Sequence, residues 1–161
     1  MKRMAFCLAL ALAVAGPARA ADKPDAFVAA AAQANMSEIE LSKLALQRSQ
    51  DPRVRDFAQR MIDNHTKAGN MLAVVAKQEH IPLPDALDVG HASKIASLAA
   101  LTTDFDRAYV DTMVAEHAAA VALFSDFATN GQDLYLKNFA QSTLPAVTAD
   151  KATIETLQSK M

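Results

Sequence analysis

Four segments of this chain repeat apolar residues at alternating spacings of three and four, and each such row is called a seam below. This spacing places the apolar side chains on one face of an α-helix, the face that packs inside a bundle. The 161 residues include only 4 glycines, alanine is abundant, and no run of β-branched residues interrupts the segments. The sequence therefore predicts an all-α fold.

The ends of the helices are predicted from capping and breaking residues. Long helices are expected over residues 25–49, 52–79, 104–129 and 133–161, and a short one over residues 92–101. Asp51 and Pro52 match an N-cap followed by proline at the first helical position. Gly131 is expected to end the third long helix, and Pro145 to kink or locally widen the last one.

The connections between the helices differ in length, and this difference predicts the topology. About two residues join the first pair of long helices and about three join the second pair, whereas about 24 residues separate the pairs. Short connections make antiparallel hairpins, and the long one is enough to cross the length of a bundle. We therefore predict a ferritin-like four-helix bundle, two antiparallel hairpins joined by a long crossover with a short helix.

The first 20 residues are predicted to be a cleaved signal peptide. Lys2 and Arg3 precede an apolar run over residues 7–15, which is too short for the roughly 20 residues of a membrane-spanning helix. Residues 18–20, Ala-Arg-Ala, match a cleavage site. Residues 21–161 would then form a single periplasmic domain with no transmembrane segment, and association with the outer membrane stays open. Cleavage would also remove Cys7, the only cysteine.

The charge balance argues against nucleic acid as a partner. Removing Lys2, Arg3 and Arg19 leaves 13 basic residues against 18 acidic ones, a net charge of −5, and no basic block stands out. The sequence also lacks a Gly-rich phosphate loop and a recognisable nucleophile motif, so an enzyme is the least favoured class. Protein partners are left unknown.

Each seam contains an ionisable residue near the middle of its helix: Glu38, His65, His117 and Asp150, with Asp106 as a fifth nearer a helix start. Buried charges are costly unless they are paired or bind a metal, so facing residues of this kind predict a candidate metal site. At roughly 1.5 Å per residue, Glu38, His65 and His117 are nearly level, and Asp150 lies about a turn and a half too far.

Other interpretations of these residues remain open. Met61 and Met113 stand four residues before the two histidines, either as core residues or as secondary ligands suited to cuprous copper. The polar side chains could equally hydrogen-bond one another without an ion. The Glu-x-x-His motif of carboxylate-bridged di-iron sites is missing, because Ile62 and Val114 occupy the glutamate positions. His80 and His91 are expected at the surface.

The chain resembles a bacterial family of exported helical proteins, domain-of-unknown-function family 4142. The matching motifs lie in residues 27–46, 54–68, 105–124 and 139–147. The resemblance implies a ferritin-like domain with no assigned activity. Its recurrent residues fall on Glu38, Met61, His65, Phe105, Asp106, Tyr109, His117 and Pro145. Two departures stand out: Asn64 and Glu116 precede the histidines where the family has aspartate, and Asp150 replaces a histidine.

These observations predict a periplasmic bundle of unknown activity that holds zinc, copper or iron through Glu38, His65 and His117, with Asp150, Asp106 or a methionine completing the set. The main alternative is a non-enzymatic structural or stress-related protein with a metal-free buried polar cluster. A third is a module that binds a small ligand or partner through the crossover.

Overall fold

The computed structural model describes residues 23–161, so the predicted signal peptide lies outside the described residues. This part of the chain contains five α-helices and no strand, which confirms the all-α prediction. The helices are α1 (Pro24–Arg48), α2 (Pro52–Gln78), α3 (Val89–Ala99), α4 (Phe105–Asn130) and α5 (Leu134–Gln158). Within these described residues, no helix is both long enough and apolar enough to cross a membrane.

Aspartate side chains cap the start of three helices. The Oδ1 atom of Asp51 accepts a hydrogen bond from the backbone N–H of Arg53 at 2.8 Å, and Pro52 follows as predicted. Asp88 caps α3 and Asp133 caps α5, each also with a 2.8 Å bond. These bonds satisfy N–H groups that have no partner inside the helix, and they determine where the helices begin.

Gly131 follows the end of α4 as predicted, but for a different reason. Its φ of −55° is outside the left-handed region, so the usual glycine cap does not apply. A Cβ atom at this position would lie 2.6 Å from the carbonyl oxygen of Phe127 and 2.7 Å from its ring. The position therefore needs glycine because the chain passes close to the last turn of α4.

Each long helix packs against two others: α1 against α2 and α4, and α5 against α2 and α4. The buried apolar residues form two clusters. The Leu41 cluster includes Met61, Tyr109, Met113 and Ile154, and the Phe27 cluster includes Leu72, Phe124, Phe127 and Phe139. Along every long helix, these two sets are separated by the segment that carries Glu38, His65, His117 or Asp150.

The crossover between α2 and α4 is fastened to α1 at two points. The side-chain amide of Gln33 donates to the carbonyl of Ala86 at 2.9 Å, and its oxygen accepts from the backbone N–H of Asp88 at 2.9 Å. Fifteen residues later in α1, Arg48 donates to the carbonyl of Ala99 at the end of α3 at 2.8 Å. The short helix α3 therefore lies against the helix that carries Glu38.

Helix α5 continues without a break through Pro145. Proline has no N–H, so the carbonyl of Gln141 loses its usual donor within the helix. Pro145 itself is exposed.

Candidate metal centre

Three of the predicted side chains meet between the two apolar clusters. Glu38 comes from α1, His65 from α2 and His117 from α4. The Oε2 atom of Glu38 lies 2.9 Å from Nε2 of His65 and 3.4 Å from Nε2 of His117. One potential ligand atom from each residue lies within 4.8 Å of those of the other two.

The centre is almost completely shielded from solvent. The side chains of Glu38 and His117 are each 1% exposed, and that of His65 is 13% exposed. Charges in such surroundings are poorly screened, so a carboxylate here interacts strongly with any cation it contacts. The same burial makes an unpaired charge costly.

Hydrogen bonds on the far side of each imidazole determine which nitrogen faces the centre. The Nδ1 atom of His117 lies 2.9 Å from the backbone carbonyl oxygen of Met113, which can only accept. The Nδ1 atom of His65 lies 3.1 Å from the side-chain oxygen of Asn35, another acceptor. Both Nδ1 atoms therefore carry the proton, and both Nε2 atoms present a lone pair to Glu38 when the rings are neutral.

Several of the atoms that face the centre are buried polar atoms without a hydrogen-bond partner among residues 23–161. Both carboxylate oxygens of Glu38 and the Nε2 atom of His117 are buried without a hydrogen-bond partner among the described residues. The Oε2 atom of Glu38 also lies 2.9 Å from Nε2 of His65, and this contact lowers the pKa of the carboxyl group. Since buried polar atoms are normally satisfied, this group of acceptors suits a bound cation or a shared proton.

The protonation of the centre reflects the attraction between its members. Burial tends to raise the pKa of Glu38, but the charges of His65, His117 and Lys94 outweigh burial and lower it. Burial tends to lower the pKa of His65, but the contact with Glu38 and the charge of Asp150 outweigh burial and raise it. In the absence of a metal, Glu38 is therefore ionised and His65 readily holds a second proton.

Sequence reasoning missed Asn35, the residue that orients His65. Asn35 lies three residues before Glu38 on α1 and packs against Gly69, which lies one turn after His65 on α2. A Cβ atom on Gly69 would lie 2.7 Å from the amide nitrogen of Asn35. The sequence does contain one signal for this contact, because Gly69 is a glycine inside a long helix, four residues after His65.

Two further polar pairs border the centre. Lys94 of α3 forms an ion pair with Glu116, whose side chain is only 8% exposed and which precedes His117. The hydroxyl groups of Ser42 and Tyr109 are hydrogen-bonded at 3.1 Å in the buried interior. Burial, opposed by the bond from Ser42 and helped by the charge of Glu38, raises the pKa of Tyr109 strongly, so its hydroxyl stays protonated.

The other predicted ligands lie outside the group of three. Asp150 is half-buried and accepts a hydrogen bond from the side chain of Asn64 at 3.3 Å. Asp106 lies 11 residues before His117 on α4, roughly 16 Å along the helix, and its buried Oδ1 has no hydrogen-bond partner within residues 23–161. Met61 and Met113 are fully buried in the Leu41 cluster. His80 is exposed, and His91 bonds to Asp88 at 2.9 Å.

Comparison with known families identifies the chain. Residues 9–157 match the family described as "Domain of unknown function (DUF4142)". The chain belongs to the DUF4142 family. The family resemblance predicted from the motifs is thus confirmed, and no curated protein matches the chain.

Solved structures with a similar fold include a DUF305 fragment from Deinococcus radiodurans, with a TM-score of 0.74 and 18% identity over 87% of this chain and 99% of that one. CopM in its Cu(II)-bound form has a TM-score of 0.71 and 18% identity, covering 84% of this chain and 95% of that one. CopM in its Cu(I)-bound form has a TM-score of 0.70 over the same shares. At this identity, the similarity describes the fold of the DUF4142 chain.

Proposed function

We propose that this DUF4142 protein binds one divalent transition-metal ion, with copper as the favoured ion, through Glu38, His65 and His117. The observation that carries the proposal is the convergence of three acceptor atoms in the shielded interior, with both Nδ1 atoms hydrogen-bonded away from the centre. Hydrogen bonds of this kind orient histidine ligands in metal sites.

The spacing of the acceptors suits a metal ion. Bonds of about 2.0–2.2 Å to nitrogen and oxygen, at angles of about 90–110°, separate neighbouring ligands by about 2.8–3.6 Å. The two distances from Glu38 to the histidines, 2.9 and 3.4 Å, fall in this range. The ion would displace the second proton of His65 and satisfy the buried lone pairs of Glu38 and His117.

The donor set narrows the choice of ion. Two imidazoles and one carboxylate suit zinc, copper and iron, and a site of nitrogen and oxygen ligands binds Cu²⁺ most tightly among divalent first-row ions. The copper-bound forms of CopM, which share this fold, give independent support for copper. Met61 and Met113 lie in the adjoining Leu41 cluster and would supply softer ligands for a cuprous ion.

A metal-free role is the second candidate, and a specific contact favours it. The 2.9 Å separation between His65 and Glu38 also suits an ion pair between an imidazolium and a carboxylate. In that case the three residues would form a structural polar cluster. The protein would then be a non-enzymatic component of the envelope.

The architecture and the location complete the proposal. We infer a ferritin-like four-helix bundle from the packing of each long helix against two others and from the long crossover. We also infer export to the periplasm, which the basic and apolar start of the sequence supports. An exported chain would meet metal ions outside the cytoplasm.

Elemental analysis tests the proposal. The chain lacking residues 1–20 is purified without an affinity tag, dialysed against a two-fold excess of Cu(II), Zn(II) or Fe(II), and freed of loosely bound ion. We expect about one copper per chain, and little copper in Glu38→Gln or His65→Ala. Glu40→Gln, which changes an exposed glutamate on the same helix, serves as the matched control. Less than about 0.1 metal per chain for all three ions would overturn the proposal and favour the polar cluster.

A further inference from the structure

The route by which an ion reaches the centre follows from the exposure of its three members. Glu38 and His117 are enclosed, whereas the side chain of His65 retains some exposure. An incoming ion therefore meets His65 before the other two ligands.

The carboxylate of Asp150 lies close enough to this opening for its charge to act on His65. Asp150 of α5 contacts the amide of Asn64, the residue preceding His65, at 3.3 Å, near the limit of a hydrogen bond. Among residues 23–161, no Lys or Arg forms an ion pair with Asp150. The adjacent Lys151 is already paired with Glu155. Since no Lys or Arg neutralises it, the negative charge of Asp150 attracts a metal cation towards His65 when that imidazole is neutral.

We propose that Asp150 is the access carboxylate of the metal centre, which receives the ion at the surface and transfers it to His65. This inference rests on the proposed function. Asp150 would hold the incoming ion first, in place of its hydrogen bond from the Asn64 amide. His65, Glu38 and His117 would then hold the ion, and Asp150 would regain its bond to Asn64.

An access residue has a kinetic signature that a permanent ligand lacks. Because the forward and reverse paths share the same transition state, a residue that speeds arrival of the ion also speeds its departure. Removing the charge of Asp150 should slow both processes and leave the Kd nearly unchanged. Removing a permanent ligand would instead speed dissociation and weaken binding.

The buried tyrosine supplies the readout. The chain has 2 tyrosines and no tryptophan. Tyr109 is fully buried, and the charge of Glu38 acts on it, whereas Tyr135 is exposed. In a Tyr135→Phe background, quenching of Tyr109 fluorescence by Cu(II) therefore reports arrival at the centre. Stopped-flow mixing with Cu(II) gives the association rate, and mixing the copper-loaded protein with a strong chelator gives the dissociation rate.

The test compares Asp150→Asn with Asp126→Asn. Asp126 also accepts a hydrogen bond from an asparagine side chain, Asn130, at 2.7 Å, but it lies nine residues beyond His117 on α4. We expect Asp150→Asn to slow association and dissociation by about three- to tenfold at low salt, with Kd changed less than about threefold. Asp126→Asn should change neither rate. As a second variant, Asn64→Ala frees the carboxylate and should speed association.

The results of this test distinguish the access role of Asp150 from the proposed binding of a metal ion at the centre. Faster dissociation and a large loss of affinity in Asp150→Asn would make it a permanent ligand and overturn its access role. Rates equal to those of Asp126→Asn would also overturn the role, while one copper per chain would leave the proposed function intact. If the unmodified chain bound no Cu(II), both proposals would be overturned.

Discussion

Asn35 and His65 are joined by a 3.1 Å contact between the Asn35 side-chain oxygen and Nδ1 of the imidazole, and this contact turns Nε2 of His65 towards Glu38. The contact links α1 and α2 at the level of the candidate metal centre. Asn35 thus connects helix packing to the direction of a ligand atom.

Replacing Asn35 by alanine should weaken metal binding without abolishing it. The imidazole would lose the acceptor that fixes its tautomer, and partners of this kind are worth about 10- to 100-fold in metal affinity. Competition with a chromophoric chelator measures the change in Kd. Asn70→Ala, which changes an exposed asparagine on α2, the helix of His65, should have no effect. An unchanged affinity in Asn35→Ala would show that Asn35 does not orient the ligand.

Gly69→Ala should act through Asn35. Alanine in a helix interior is more favourable than glycine by about 1 kcal/mol, but the new Cβ would press on the Asn35 amide at 2.7 Å. We expect little gain in the free energy of unfolding in the natural background, and a gain of about 1 kcal/mol in an Asn35→Ala background. Urea unfolding of the natural chain, Gly69→Ala, Asn35→Ala and the double variant measures this difference. An equal gain in both backgrounds would mean that Asn35 moves aside freely.

The sequence predicts the meeting of Glu38, His65 and His117 because the seams and the short connections determine both the face and the height of each residue. The same reasoning fails for Asn35, since an asparagine between two seam positions has no pattern of its own. It also misses the pairing of Lys94 with Glu116, which depends on the path of the crossover across α1 and α4. Asp150 shows the limit most clearly: counting residues places it about a turn and a half too far, whereas the packing of α5 against α2 brings it to Asn64, next to His65.

The stability of the metal-free protein should fall as the pH rises above neutrality. His65 has a pKa raised above its usual 6.5, so its contribution is complete below pH 6.5 and is lost as the pH passes the raised value. Glu38 has a pKa lowered below its usual 4.5, so its contribution is present above pH 4.5 and is lost as the pH falls through the lowered value. The two contributions coexist between pH 4.5 and 6.5.

Chemical unfolding with chelator present, at about pH 5.5 and about pH 8.5, measures this dependence. Glu38→Gln should reduce the difference between the two conditions. Bound metal should have the opposite trend, because protons compete with it for His65, so its stabilisation grows as the pH rises. A metal-free stability that increases from pH 5.5 to 8.5, and does so equally in Glu38→Gln, would contradict the ion pair.

The bond between Ser42 and Tyr109 should stabilise the interior close to the centre. Ser42→Ala leaves a buried phenol hydroxyl without its partner, which costs about 1–3 kcal/mol. Tyr109→Phe removes the other hydroxyl of the pair, and the double variant removes both. We expect the double variant to lose less than the sum of the two single losses in thermal unfolding. Additive losses would show that the two hydroxyls do not interact.

The location of a bound ion tests the central claim most directly. A crystal of the metal-loaded protein, measured at wavelengths on either side of the copper absorption edge, reveals the copper position by anomalous scattering. We predict one strong peak about 2.0–2.2 Å from the Oε2 atom of Glu38 and from the Nε2 atoms of His65 and His117. A copper-loaded crystal with no peak between these three side chains, or with its copper at the surface or between the sulfur atoms of Met61 and Met113, would contradict the account.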